Sequence, residues 1–146
     1  MSEAEGSLRT ALVAARKAQD RERTLVLSTA IAALDNRRLE LGRPLADGDV
    51  TEVLRKGIKQ REDAAAQFRS GGRAELADRE EAQIRVLGEF LPPSADPEEI
   101  RAAVRAAIAG GAADLGKVMG RVLPAFKGRA DGRLVNQIAR EELEAG

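Results

Sequence analysis

DLGKVMGRVLPAFKGRADG, running from Asp114 to Gly132, holds four glycines (Gly116, Gly120, Gly128, Gly132), one proline (Pro124) and the basic residues Lys117, Arg121, Lys127 and Arg129, with Arg133 just beyond. Gly116 and Gly120 stand one helical turn apart, as do Lys117 and Arg121 beside them. In a helix, that register leaves one face bare and lines the adjoining strip with positive charge. Glycine in a helix interior costs about 1 kcal/mol relative to alanine. Two in register therefore ask for a close approach, by a neighbouring helix or by the backbone of another molecule. Asp114 is placed to cap this helix. Pro124 would clash with the carbonyl of Gly120, so a bend or break is expected there. Gly128 reads as a C-terminal cap, and Asp131 opens a last helix carrying Leu134, Val135, Ile138 and Leu143.

Upstream, Asp96-Pro97-Glu98-Glu99 is a helix start with a cap, a proline in the first turn and acids behind it. Ile100, Val104 and Ile108 continue that helix to Gly110-Gly111. The prolines between Pro92 and Pro97 bar helix continuation, which divides the chain into residues 1–92 and 93–146. The first part reads as four helices. Ser7 is expected to cap the first, with Leu8, Ala11, Leu12 and Ala15 on one side. Asp20 or Thr24 opens the second, which carries Leu27, Ala30, Ile31 and Leu34 and stops at Gly42 and Pro44. Asp49 is expected to cap a third, running to about Ser70 with Val50, Val53, Leu54, Ile58, Ala65 and Phe68 as its stripe. Gly71-Gly72 breaks it. A fourth runs from about Ala74 to Phe90 with Leu76, Ala77, Ile84, Leu87 and Leu91. No stretch alternates with period two for long enough to make a strand. The fold class is all-α: an N-terminal helical hairpin or bundle, then a small C-terminal three-helix subdomain.

The 146 residues include 24 basic and 24 acidic side chains, so bulk charge argues for neither nucleic acid nor membrane. Any such argument must be local. The only aromatic residues are three Phe, so the core must be Leu, Val, Ile and Ala. Cysteine and histidine are both absent. That removes disulfides, thiol catalysis, the commonest general base and the commonest transition-metal ligand. No metal or cofactor is expected. The short acidic start resembles no signal peptide, and no apolar run approaches the roughly 20 residues a membrane span needs. A cytoplasmic protein without membrane partners is the expectation.

Three places in the chain fall into a known pattern. One is IKQREDAAAQFRSGGRAELADREEAQI, from Ile58 to Ile84. The second is VLGEFLP, Val86 to Pro92, followed by the acidic start at Pro97. The third is the opening stretch, with Asp114, Gly116, Val118-Met119-Gly120, Pro124, Lys127-Gly128 and Ala130-Asp131-Gly132 in register. On these residues the chain, from about Leu8 to Leu143, resembles the YqeY family, free-standing relatives of the tail domain of GatB-type subunits of tRNA-dependent amidotransferases. Phe90 stands where that pattern often has Tyr. The resemblance implies an all-helical fold and an RNA-related role, because the GatB tail contacts the outer corner of tRNA. It also brings a family label, carbon–nitrogen ligase activity with glutamine as amido-N donor. The catalytic parts of the amidotransferase lie outside the region of resemblance, so catalysis by this chain alone is not expected.

The residues agree with that restraint. Ser and Thr are few and sit mostly at helix starts, where capping explains them. Asp49, Thr51 and Glu52, like Glu80 and Glu81, lie on charged helices where carboxylates are usually solvated. The glycine stretch lacks the GxxxxGK[ST] order and follows no strand, so it is no nucleotide-binding loop. Between Asp114 and Arg133 there are five cations (Lys117, Arg121, Lys127, Arg129, Arg133) and two acids, Asp114 and Asp131, both in capping positions. Such a patch can engage phosphates without base specificity. With no Tyr or Trp for stacking, tRNA or other folded RNA fits better than single strands, and DNA is not expected. An ordinary solvated charged face, or a docking surface for a protein such as an amidotransferase subunit, remains the alternative. A second basic set (Arg37, Arg38, Arg43, Lys56, Lys59, Arg61) is interleaved with acids, and helical ion pairing accounts for it.

Overall fold

The computed structural model describes residues 1–146 and is entirely helical. The chain forms two compact units, Met1–Leu91 and Pro92–Gly146.

The first unit holds α1 (Glu3–Lys17), α2 (Arg21–Leu41), α3 (Asp47–Ser70) and α4 (Ala74–Gly88). Leu8 and Leu12 of α1, Val26, Leu27, Ile31 and Leu34 of α2, Val50 and Leu54 of α3 and Leu87 of α4 meet in one core with Leu45 from the α2–α3 turn. Glycine ends two of these helices: Gly42 follows α2 at φ 66°, and Gly72, at φ 75°, lets Arg73 N–H return to the carbonyl of Phe68 at 2.7 Å. Two starts differ from the sequence expectation. Ser2, not Ser7, caps α1, its hydroxyl accepting from Glu5 N–H at 3.2 Å. The acids Glu3 and Glu5 suit that earlier first turn. Helix α3 begins at Asp47, and Asp49 stands in its first turn with its carboxylate reaching back to Ala46 N–H at 2.9 Å. Helix α4 stops at Gly88, short of Phe90.

The basic set of this unit pairs mostly between elements rather than along one helix. Arg37–Glu40 is helical, but Arg38 reaches Glu5 at 2.7 Å, Arg43 reaches buried Asp49 at 2.8 Å, and Arg61 reaches Glu80 at 3.7 Å. Glu5 is only 3% exposed. It accepts from Arg9 at 3.1 Å and from Arg38, while Asp35 engages the same two guanidiniums at 2.9 and 3.1 Å. This closed ring fastens α1 to α2.

The second unit packs α5 (Pro97–Ala109), α6 (Leu115–Val122) and α7 (Gly132–Ala145) around Ile100, Val104, Val118, Val122, Phe126, Val135 and Ile138. Aspartate starts each helix: Asp96, Asp114 and Asp131 each accept a backbone N–H at 2.9 Å. At Pro124 the helix gives way to a 3₁₀ turn, Leu123–Phe126, and Gly128 then turns at φ 77°. Ala95 N–H donates to the carbonyl of Arg129 at 2.8 Å, tying the entry of the unit to the α6–α7 connection. Helices α5 and α7 are clamped by Arg101, which binds Glu142 at 2.8 Å and Glu141 at 3.0 Å, and by Arg105, which binds Glu142 at 2.9 Å.

Two outcomes follow for stability. Glu5→Ala leaves two guanidiniums sharing Asp35, and should lower the denaturant stability of the first unit by about 1–3 kcal/mol, with Glu5→Gln losing less. In the second unit, hydrogen bonds from Arg105 and Arg101 hold the Glu142 carboxyl below its usual range, and Arg101 followed by Gln137 does the same for Glu141. A carboxyl depressed by folding stabilises above its unfolded pKa and loses that contribution as pH falls through the folded one. Thermal melts followed by circular dichroism should therefore show the midpoint falling below about pH 4, with a flatter acid limb in Glu142→Gln.

Candidate functional site

The C-terminal cations sit on a small scaffold of three capped helices. On α6 the Asp114 carboxylate accepts from Lys117 N–H at 2.9 Å and fixes where the first turn begins. Gly116 and Gly120 both face solvent. A Cβ at Gly116 would meet only the Asp114 Oδ1 at 3.4 Å, and one at Gly120 would meet nothing within 4 Å. Tight packing inside the protein is therefore not the reason for these glycines, and the bare face of α6 is open. Gly132 begins α7, where a Cβ would rest at an ordinary 3.8 Å from Leu123. Gly128 is the one glycine of the four whose φ is left-handed.

The five cations have different surroundings. Lys117 is about two-thirds exposed, and its ammonium lies 3.9 Å from the Asp114 carboxylate. Arg121, a turn further on, donates from Nη1 to the carbonyls of Gly110 at 3.1 Å and Ala107 at 3.4 Å. It thereby closes the C-terminus of α5, but with neutral partners that leave its charge unbalanced. Lys127 is half-buried in the turn after Phe126. Arg129 is held on three sides: by the Glu99 carboxylate at 2.8 Å, by the carbonyl of Pro93 at 3.3 Å, and by the Phe126 ring, 5.8 Å from its centroid to the guanidinium carbon. Arg133 is exposed on α7, its backbone N–H on the Asp131 cap.

These surroundings separate two kinds of residue. Arg129 bridges the unit's entry segment to the first turn of α5, and its charge is met by Glu99. Lys117 and Arg133, by contrast, stand in the first turns of α6 and α7, at the positive ends of the helix dipoles. A cation there is disfavoured by a few tenths to about 1 kcal/mol. Beyond the 3.9 Å contact of Lys117 with Asp114, the fold gives these two side chains no partner, and a strip comprising Lys117, Arg121 and the two open glycines runs along α6. The carboxylates of the first unit have local partners instead: Asp49 with Arg43, Glu80 with Arg61, and Glu81 with Arg69 at 2.8 Å. The Glu99 partner of Arg129 escaped sequence reasoning, because the two are 30 residues apart and share no helix.

An all-helical protein with a four-helix unit, a three-helix unit and an open glycine strip flanked by cations is the class this structure defines. The profile of the YqeY family, described as Yqey-like protein, matches residues 5–143, and the chain belongs to that family. Over 107 residues it is 34% identical to the altered inheritance of mitochondria protein 41, mitochondrial, of Pyrenophora tritici-repentis, covering 68% of this chain and 58% of that protein. A 49-residue stretch is 51% identical to an uncharacterized protein of Schizosaccharomyces pombe, covering 34% of this chain and 40% of the relative. The chain thus spans about half the length of the curated relatives it matches. No helix is long and apolar enough to cross a membrane.

Since a methyl group at Gly120 would find open space, Gly120→Ala should raise the thermal midpoint of the protein, by up to about 1 kcal/mol of helix stability. A loss of stability in that variant would mean that something packs on the face after all.

Proposed function

We propose that the C-terminal unit is a non-catalytic binding module for tRNA or a similarly folded RNA, contacting the phosphate backbone along α6 and the start of α7. The observation that carries this reading is the open face of Gly116 and Gly120. The helix keeps two glycines where the protein's own packing uses neither. A backbone face without side chains admits a phosphate–ribose chain closely, and Lys117, Arg121 and Arg133 supply charge along its border. Lys127 and Arg129 complete the set, Arg129 as a half-buried cation already paired with Glu99. The resemblance to the GatB tail drawn from the sequence supports the same choice of RNA, and points to the cytoplasm or another compartment where tRNA is used.

A different reading, a protein–protein adaptor, draws on one observation. Helix α2 exposes Leu25 and Leu39, 55% and 81% accessible, on the side away from its core. An accessory component of an amidotransferase complex would be one form of such an adaptor.

A gel shift with tRNA at two salt concentrations tests the RNA reading. Binding should weaken steeply as salt rises. Lys117→Glu with Arg133→Glu should abolish it without changing the helical circular dichroism, because neither side chain braces the fold. Gly120→Gln should weaken binding by filling the bare face, while Gly120→Ala does so less. Unaltered binding in the double variant would refute the site, and absence of any tRNA binding by the native protein would refute the function.

A further inference from the structure

A second surface, in the first unit, also gathers cations without partners. The turn between α1 and α2 frames an open depression of about 630 Å³ lined by Arg16, Gln19, Arg21, Thr24, Leu25 and Ser28. Arg16, Lys17 and Arg21 all belong to this corner, and no ion pair or hydrogen bond engages their side chains. Most other arginines of the first unit are engaged. Arg9 and Arg38 sit in the Glu5 ring, and Arg23, two residues beyond Arg21, binds Glu89 at 2.7 Å and lies over Phe90. The two acids nearest in sequence are occupied: Asp20 caps α2 through Arg23 N–H, and Glu22 binds Arg79 at 3.0 Å.

Two residues of the corner also run against local stability. Gln19 is the only residue other than glycine with a positive φ, 57°, in a motif where its N–H returns to Arg16 and Asp20 N–H returns to Ala15. Glycine fills the left-handed position after α2 and α3, at Gly42 and Gly72. A side chain there costs about 1–2 kcal/mol. Arg21 is the first residue of α2, at the positive end of that helix's dipole. Arg16 and Lys17 do suit the C-terminus of α1, so stability accounts for them but not for Gln19 or Arg21. Beside three unpaired cations, these two departures from local rules single out the corner as a candidate contact surface.

We infer that this corner is a second phosphate-contacting surface for the same folded RNA, formed by Arg16, Lys17 and Arg21 with the Gln19 amide and the Thr24 and Ser28 hydroxyls. This rests on the RNA reading above. Two guanidiniums, an ammonium, an amide and two hydroxyls are all donors suited to phosphate oxygens. The single exposed apolar side chain, Leu25, is too little for the buried centre a protein interface is built around.

The test is a tRNA titration of the full chain at several salt concentrations. The variants are Arg16→Gln with Arg21→Gln, Gln19→Gly, Leu25→Ser, and Lys117→Gln with Arg133→Gln. Removing Arg16 and Arg21 should flatten the slope of log affinity against log salt by about 1.5, close to two phosphate contacts. Gln19→Gly should raise the thermal midpoint yet weaken tRNA binding. If Arg16→Gln/Arg21→Gln titrates as the native protein does while the C-terminal pair is weakened, the corner is not a contact and the RNA reading stands. Should Leu25→Ser weaken binding more than the arginine pair, with the salt slope unchanged, the corner is a docking surface of another kind and the inference falls. Failure of the native protein to bind tRNA at any salt overturns both.

Discussion

Pairing of charge between helices is the constraint under which this protein folds. With as many acids as bases and almost no aromatic side chains, its helices meet through aliphatic cores whose borders are fastened by arginine–carboxylate contacts. The Glu5 ring joins α1 to α2, Arg43 with Asp49 secures the start of α3, and Arg101 and Arg105 with Glu142 hold α5 to α7. Because these pairs neutralise so many side chains, an uncompensated cation stands out. A neutral protein can still present positive surface, provided that its acids are committed elsewhere. Here they are committed as caps at Asp20, Asp114 and Asp131, and as partners at Glu22, Glu89 and Glu99.

Sequence made the local part of this arrangement legible. The caps at Asp96, Asp114 and Asp131, the stop at Gly42, the break at Gly71-Gly72 and the interruption at Pro124 each follow from one or two residues and their immediate neighbours. Helix starts are harder to read where a strong capping residue lies inside the helix rather than at its cap. Asp49 looks like a cap, yet as the third residue of α3 its carboxylate satisfies the amide of Ala46 from inside the helix. Ser7 was outcompeted by Ser2 because Glu3 and Glu5 already favour the positive end of a helix beginning at Glu3.

What was not legible depends on residues distant in sequence. The register of Gly116 and Gly120 announces a bare face but cannot tell what lies opposite, and in the folded protein open solvent lies there. Likewise, five cations between Lys117 and Arg133 look equivalent in a string of letters. Folding distinguishes them, because Glu99 and Phe126 come to Arg129 and the end of α5 comes to Arg121, while Arg133 receives no carboxylate. The left-handed turn at Gln19 has no sequence signal at all, since glutamine is not a residue from which that conformation would be inferred.

Helix dipoles give a way to separate structural cations from the rest. At a C-terminus, as with Arg16, Lys17 and the Arg121 contact to Gly110, a positive charge assists the helix it meets, so its presence carries little information about ligands. In a first turn the sign reverses. Arg21, Lys117 and Arg133 each weaken the helix they begin, in a chain that uses acids at the equivalent places of α1, α3 and α5. Arg23 shows that such a cation can be tolerated when a carboxylate and an aromatic ring receive it. Arg21 and Arg133, without that support, and Lys117, with only Asp114 at 3.9 Å, add their charge to amides that are themselves electropositive, and the combination raises the local potential where a polyanion would gain most from it.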